Sequence, residues 1–413
     1  MSISRRDLLG AGLLGSLLAV SPSMIARARA AERPRRLVVV MLRGAVDGLS
    51  VVAPYQDAAY YQRRGTIALP RPGTDGGLID LDGRFGLHPA LAPLQPLWAR
   101  GRLGFVHACG SPDPTRSHFD AQHYLETAVL AKASRDDGWL NRLAAQVVAD
   151  DDAFGAVSLS ATLPRICSGE HDVTNVPLGR GVLKPSALDR AEVAASFSAM
   201  YQASGDAPIA DAYREGLATR QRIRRDLAST APDDETRVAD NGAPPPIGFA
   251  LDASQLARLM VRNPELQLAF LQLGSWDTHL KQGASRGALA DRLRGLGDGL
   301  ATLARDLGPV FDDTLIVVMS EFGRTVAENG AGGTDHGHGN VIWLLGGGLK
   351  GGKVWGQWPG LDSSALYEGR DLAVTTDFRS VLQQVCAQHL RLDDRQLAAV
   401  FPQAGADWNQ RLL

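Results

Sequence analysis

The stretch from 315 to 340, LIVVMSEFGRTVAENGAGGTDHGHGN, combines a buried element with a group of side chains of the types that bind metals. Five apolar residues, rich in β-branched types, open it and predict a buried strand. Polar residues and a glycine-rich loop follow, before the next apolar run at 341–345. Open α/β sheets carry their sites beyond the carboxyl ends of strands, so this order predicts a functional site; a flexible loop with scattered histidines is the alternative. The candidate site residues of the stretch are Glu321, Arg324, Asp335, His336 and His338.

Two other apolar runs lead into polar residues in the same way. The run at 36–43 is followed by Asp47, which is flanked by glycines, and the run at 266–273 by Asp277 and His279. In an extended chain the i, i+2 spacing puts Asp277 and His279 on the same side. Carboxylates with imidazoles are the ligand mix of Zn²⁺ or Mn²⁺, with Mg²⁺ or Ca²⁺ also compatible. The alternatives are a simple turn at Asp47 and a capped loop at Asp277.

Ser117 occupies the first position of a predicted helix that runs to about residue 130. With Asp120 three residues on, the pattern is close to a capping box, which is a complete structural explanation for this serine. A helix N-terminus also stabilises anions, and a serine there can act as a nucleophile when a metal lowers its pKa.

Strands alternate with helices along the chain, which predicts an α/β three-layer sandwich with a largely parallel central sheet. Residues from about 186 to 246 are predicted to form a helical accessory segment that ends in a polar, proline-rich loop.

The N-terminus resembles a twin-arginine export signal. Arg5 and Arg6 precede an apolar run at 8–20, and Ala28 and Ala30 form an Ala-x-Ala cleavage site. The run is too short to span a membrane, and the cleavage site argues against an N-terminal anchor. We therefore expect residues 1–30 to be a signal peptide, the twin-arginine translocase to be a partner, and residues 31–413 to reach the periplasm or the extracellular space.

The net charge and the spacing of the cysteines limit the classes of function that the sequence supports. Residues 1–30 hold four Arg and one Asp, which leaves 39 basic and 44 acidic residues, a net charge of −5, in the rest of the chain. This balance gives no support for nucleic-acid binding, and no second apolar segment is long enough to span a membrane. The three cysteines are widely spaced, so the pattern identifies no disulfide pair and favours buried thiols.

The order of these residues resembles the alkaline phosphatase and sulfatase superfamily. In that order an Asp follows strand one, a nucleophile opens a helix, and Asp-x-His, a late carboxylate and a late His-Gly come after. Four motifs are more closely similar to one uncharacterised family within it, the domain of unknown function number fifteen-oh-one, whose members typically carry twin-arginine signals. These motifs are Arg43-Gly44-x-x-Asp47-Gly48-Leu49, Arg116-Ser117-His118-Phe119-Asp120-Ala121, Ser320-Glu321-Phe322-Gly323-Arg324-Thr325 and Asp335-His336-Gly337.

The resemblance implies an alkaline-phosphatase-like fold and a two-metal site. Asp47 would bind one metal, and Asp277 with His279 would bind the other. Ser117 would be the nucleophile, and Arg116 and Arg324 could hold an oxyanion bidentately. The remaining metal ligands would be Glu321, Asp335 and either His336 or His338.

Three features depart from the superfamily pattern. The chain has Asp277-x-His279 where Asp-x-x-x-His is usual, and Glu321-Phe322 where Asp-His is usual. The segment at 109–113 also differs from the sulfatase Cys-x-Pro-x-Arg motif, which argues against an ordinary sulfatase.

The resulting hypothesis is a metal-dependent hydrolase acting on phosphate or sulfate esters, either small molecules or polymers, in the cell envelope. A non-catalytic exported binding or scaffold protein and a phosphotransferase or mutase on the same fold are the alternatives, because a fold does not determine a function.

Overall fold

A computed structural model describes residues 34–413 except for 131–134, 150–153, 177–189, 204, 206, 228–242, 403, 406 and 407. The chain divides into residues 1–34 and residues 35–413, and the fold below is that of the second unit. The predicted signal peptide lies outside the described residues, so its export function stays a prediction.

Within the described residues, nine strands form one central sheet, and three short strands form a second, antiparallel sheet. The strands are β1 (Arg36–Leu42), β2 (Val52–Ala53), β3 (Ile79–Asp80), β4 (Gly86–Leu87), β5 (Leu103–Gly110), β6 (Ala156–Leu159), β7 (Thr174–Val176), β8 (Leu268–Leu273), β9 (Thr314–Ser320), β10 (Asn340–Gly346), β11 (Val354–Trp355) and β12 (Thr376–Asp377). The central order is β11-β5-β10-β9-β1-β8-β6-β7, with β12 beside β5. Among the strands of this sheet that the structure describes, only β10 runs antiparallel to its two neighbours, so the predicted largely parallel sheet is confirmed.

Helices cover both faces of the central sheet. They are α1 (Gly48–Val51), α2 (Ala58–Arg64), α3 (Gln95–Ala99), α4 (His118–Thr127), α5 (Trp139–Val147), α6 (Ala191–Ala203), α7 (Ala207–Leu227), α8 (Phe249–Arg262), α9 (Ala288–Leu307), α10 (Phe378–Val385) and α11 (Asp394–Val400). Within the range predicted as an accessory segment, α6 packs on α7, and α7 packs on α8.

Alternate residues of β1 belong to two different cores. Val38 and Val40 pack with side chains of α8 and α9, whereas Leu37 and Val39 pack with those of α5 and α10. Successive strand residues point to opposite faces, so both faces of β1 are covered and the protein has three layers. Full burial of a Val or Leu side chain contributes about 1.5–3 kcal/mol, which explains why a short strand with both faces covered is so apolar.

The register of the strands brings the candidate site residues to one edge. Leu42 at the end of β1 lies opposite Leu273 of β8 and Ser320 of β9. Because the three strands are parallel, the loops that follow them leave the sheet together. Antiparallel β10 begins at the same edge, where Asn340 lies opposite Cys109 near the end of β5. The loops after β1, β5, β8 and β9 therefore meet.

All three cysteines are buried, and in the described part of the chain, which includes them all, each is a free thiol. Burial raises the pKa of the Cys167 and Cys386 thiols above its usual range. The prediction of buried thiols is confirmed. Across residues 34–413, outside the gaps given above, no helix is long and apolar enough to cross a membrane.

Candidate metal centre

His118, Asp277 and His336 bring three donor atoms to within 4.8 Å of one another. His118 is the first residue of α4, Asp277 follows β8, and His336 lies in the loop before β10. The two histidine Nε2 atoms are 3.0 Å apart, and each is close to an oxygen of Asp277, at 3.6 Å from His118 and 3.4 Å from His336. The three residues come from three different segments at the site edge of the sheet, one at the start of a helix and two in loops.

The other nitrogen of each ring determines where these Nε2 atoms point. His118 Nδ1 is 2.8 Å from Glu321 Oε1, and His336 Nδ1 is 2.9 Å from the carbonyl oxygen of Arg116. A carboxylate or a carbonyl only accepts hydrogen bonds, so each Nδ1 carries the proton and donates it. In the neutral rings the lone pair is then on Nε2, directed at the cluster. This outer support is typical of metal-binding histidines.

The spacing of the three donors fits a metal ion. Zn²⁺ binds nitrogen and oxygen at about 2.0–2.2 Å, which places neighbouring donors about 3.3 Å apart in a tetrahedral site. The two Nε2 atoms are 3.0 Å apart, and each lies 3.4 or 3.6 Å from one of the two oxygens of Asp277, close to this value. Two imidazoles and one carboxylate also suit Zn²⁺ or Mn²⁺ by ligand type. The residues present fit a divalent metal.

The charges around the cluster favour a cation. Burial alone would lower the pKa of His118, but the carboxylates of Asp277, 3.6 Å away, and Glu321, which accepts a hydrogen bond from the ring, outweigh it and raise the pKa to about 9. Burial would raise the pKa of Asp277, yet the neighbouring imidazoles of His118 and His336 and the charge of Arg324 hold it well below its usual range. At neutral pH the ring of His118 therefore carries a second proton, on Nε2, and a metal would displace that proton on binding.

His279 and Asp335 lie beside the cluster. His279 Nε2 is 3.0 Å from both Asp277 Oδ1 and His336 Nε2, and its Nδ1 donates to Asp335 Oδ1 at 3.1 Å. Asn329 donates to the same oxygen at 3.0 Å, and this bond, ahead of the one from His279, lowers the pKa of Asp335. The predicted pair of Asp277 and His279 thus lies together at the cluster, and Asp335 orients the ring of His279.

Glu321 supports the cluster from behind His118. Its Oε1 accepts from the backbone N–H of Gly44 at 2.7 Å, from His118 at 2.8 Å and from Gln122 Nε2 at 3.0 Å. The side chain is fully buried. Burial would raise the pKa of Glu321, but the hydrogen bond and charge of His118 outweigh it and lower the pKa. The resemblance predicts a metal ligand here, and the structure places the carboxylate on the far nitrogen of a candidate ligand.

Two other predicted ligands are placed apart from the three donors. Asp47 is fully buried, and Arg64 binds both of its oxygens. His338 lies at a bend, and its Nε2 donates to the carbonyl oxygen of Ser111 at 3.0 Å. Of the two late histidines, His336 is therefore the one at the cluster.

The predicted catalytic residues have structural partners. Ser117 is the N-cap of α4, and its hydroxyl accepts from the N–H of Asp120 at 3.4 Å, so the predicted cap is present. Arg116 forms ion pairs with Asp371 and Glu368. Arg324 donates to Asp277 and to Thr334. Both arginines are engaged with protein carboxylates.

Sequence reasoning missed His118 as a ligand. It stands inside the Arg116-Ser117-His118-Phe119 motif, directly after the serine taken as nucleophile. His118 is the first residue of α4, which starts at the site edge of the sheet, so its ring can reach the cluster. The sequence pattern at this position indicated only the N-cap, Ser117.

This fold and site define an α/β protein with a candidate His/Asp metal centre at the carboxyl edge of a mostly parallel sheet. Residues 97–401 match the family described as "Protein of unknown function (DUF1501)". The chain belongs to this family. No curated protein matches the sequence at a significant level.

Three solved structures are similar to this chain at a low level. A protein in the alkaline phosphatase superfamily from Vibrio parahaemolyticus has a TM-score of 0.37 and 9% identity over 78% of this chain; the chain spans 63% of that protein. The C-terminal periplasmic domain of EcEptC from Escherichia coli has a TM-score of 0.39 and 10% identity, with 91% of this chain and 88% of that one covered. The lipoteichoic acid synthase LtaP from Listeria monocytogenes has a TM-score of 0.34 and 10% identity, with 84% and 75% covered. Likenesses at this level do not define what the chain binds or catalyses.

Proposed function

We propose that this protein is an exported metal-dependent hydrolase that acts on phosphate or sulfate esters in the cell envelope. The observation that carries the proposal is the orientation of two histidine rings. Glu321 and a backbone carbonyl each hold an Nδ1, so the Nε2 atoms of His118 and His336 converge on Asp277. A surface loop with scattered histidines has no reason to orient both rings in this way.

His118, His336 and Asp277 would hold the metal, Zn²⁺ or Mn²⁺ by ligand type. When bound, a divalent metal would supply positive charge that polarises an ester oxygen and lowers the pKa of an attacking hydroxyl. His279 has the most exposed of the three imidazoles, at 39% against 17% and 26%, so a bound ester reaches it first. Its Nε2 can accept the proton of the attacking hydroxyl, while Asp335 holds the ring by Nδ1.

Ser117 is the proposed nucleophile. It precedes His118 at the start of α4, and its cap bond of 3.4 Å is long, so the hydroxyl can leave it at little cost. Arg116 and Arg324, whose charges are already paired, would act on neighbouring side chains more than on the ester. Residues 1–30 remain the proposed twin-arginine signal that delivers the protein to its substrate.

Matched histidine variants test the metal centre. Zn²⁺ and Mn²⁺ are titrated into purified protein, and bound metal is counted by elemental analysis. We expect binding by the wild type, loss in His118→Gln, and retention in His338→Gln, because His338 donates to Ser111 away from the donors. Equal binding by wild type and His118→Gln would refute the centre.

A panel of chromogenic phosphate and sulfate esters then separates a hydrolase from a binding protein. We expect metal-dependent turnover that falls by orders of magnitude in Ser117→Asn, which keeps the helix cap but has no hydroxyl. Metal binding without turnover of any ester would favour the non-catalytic alternative. Turnover that survives Ser117→Asn would leave a water molecule or Ser111 as the attacking group.

A further inference from the structure

A buried chain of hydrogen bonds connects Asp47 to the metal centre without placing Asp47 in it. The two terminal nitrogens of Arg64 donate to the two oxygens of Asp47. Gln282 Nε2 donates to Asp47 Oδ2 at 2.6 Å, and Ser50 donates to the same oxygen at 2.7 Å. Asp47, Arg64 and Gln282 are each 0% exposed.

Gln282, which Asp47 holds in one orientation, accepts hydrogen bonds from two threonines. With its NH₂ group held by Asp47, its Oε1 faces the hydroxyls of Thr278 at 2.7 Å and Thr334 at 3.0 Å. An amide oxygen only accepts, so both hydroxyls donate to it. The single proton of Thr334 is then in use, and its oxygen is left to accept from Arg324 Nε at 3.1 Å.

Arg324 completes the chain at the metal centre. It is 1% exposed, donates through one terminal nitrogen to the carbonyl oxygen of Thr334, and through the other to Asp277 Oδ1. Thr334 therefore holds the guanidinium at two points, and the guanidinium holds the carboxylate of Asp277. A buried guanidinium that is hydrogen-bonded through all three of its nitrogens has little freedom to move.

This arrangement does not fit a metal at Asp47. Both carboxylate oxygens already accept strong bonds, and the guanidinium of Arg64 puts a positive charge where a second cation would have to bind. We propose that the protein holds one metal, and that Asp47, Gln282 and Thr334 are positioning residues which act on that metal through Arg324 and Asp277. The inference rests on the proposed metal centre.

Three threonine variants test the positioning role. Thr334→Val keeps the shape but removes the hydroxyl that supports Arg324, and Thr334→Ser restores it. Thr278→Val removes the other hydroxyl on Gln282 and leaves the contacts of Arg324 intact. Zn²⁺ affinity is measured by competition with a chromogenic chelator, and unfolding is followed in parallel.

We expect Thr334→Val to bind Zn²⁺ about 10-fold more weakly, the lower end of the range found when a direct partner of a metal ligand is lost, because Thr334 acts on Asp277 through Arg324; Thr334→Ser and Thr278→Val should bind near wild type. Comparable weakening by both valine variants would assign the effect to general packing and overturn the inference. So would a Thr334→Val variant that binds as the wild type does. A wild type that binds no Zn²⁺ would instead refute the metal centre itself.

Metal counting tests the single site. We expect one metal per chain in the wild type and in Asp47→Asn, and none in Asp277→Asn. Two metals per chain in the wild type, falling to one in Asp47→Asn, would show that Asp47 is a ligand and overturn the inference.

Discussion

Acid should destabilise this protein through buried histidines that lie outside the metal centre. His107 Nε2 donates to the carbonyl oxygen of Val52 at 2.8 Å, and its Nδ1 accepts from the N–H of Ala108 at 2.9 Å. His88 has the same pair of backbone contacts, one donated and one accepted. A second ring proton would point at an amide hydrogen, so both rings are held neutral. Burial lowers the pKa of each to about 4.

The direction of the effect follows from where the protons bind. In the unfolded chain a histidine has a pKa of about 6.5, so it takes up its proton before the folded form does. The stability that each of these two histidines contributes is therefore complete above about pH 6.5 and is lost as the pH falls towards 4. Below that pH their contribution changes no further. Between pH 7 and pH 5 each of these histidines should cost about 2 kcal/mol of unfolding free energy.

The substitution His107→Gln isolates one of them. The variant should be less stable than wild type at pH 7, because the ring packs against Phe85 and Trp358. Its deficit should shrink by about 2 kcal/mol at pH 5, because glutamine has no proton to take up. Urea unfolding at both pH values measures this, with Phe85→Leu as a control that should lose the same amount at each pH. A deficit in His107→Gln that is independent of pH would refute the reasoning.

Two further predictions concern the centre and the export signal. Glu321→Gln keeps an acceptor for His118 but removes the negative charge, so Zn²⁺ affinity should fall 10–100-fold, which calorimetry would detect; unchanged affinity would show that Glu321 does not tune the centre. Changing Arg5 and Arg6 to Lys should leave uncleaved precursor in the cytoplasm, as seen by fractionation and immunoblotting, whereas continued delivery through the general secretory route would exclude a twin-arginine signal.

The sequence alone was enough to predict the sheet and the edge that carries the site. Strands β1, β8 and β9 are covered on both faces, so their residues form nearly unbroken apolar runs that stand out in the sequence. Polar residues directly after such runs must lie at the carboxyl edge of the sheet, which is why the sequence predicts Asp277 and Glu321 there. These are local features, and a short window of sequence contains them.

Only the tertiary structure decided which of those residues meet. Asp47, predicted as a ligand, is paired with Arg64, and His118, which directly follows the predicted cap residue, has Asp277 and Glu321 on either side of its ring. The groups that contact these charged side chains are distant in sequence. The backbone N–H of Gly44, for example, donates to Glu321, 277 positions later in the chain. Whether a carboxylate binds a guanidinium, an imidazole or a metal depends on the charges that folding brings within a few ångströms, and no local pattern contains that distance.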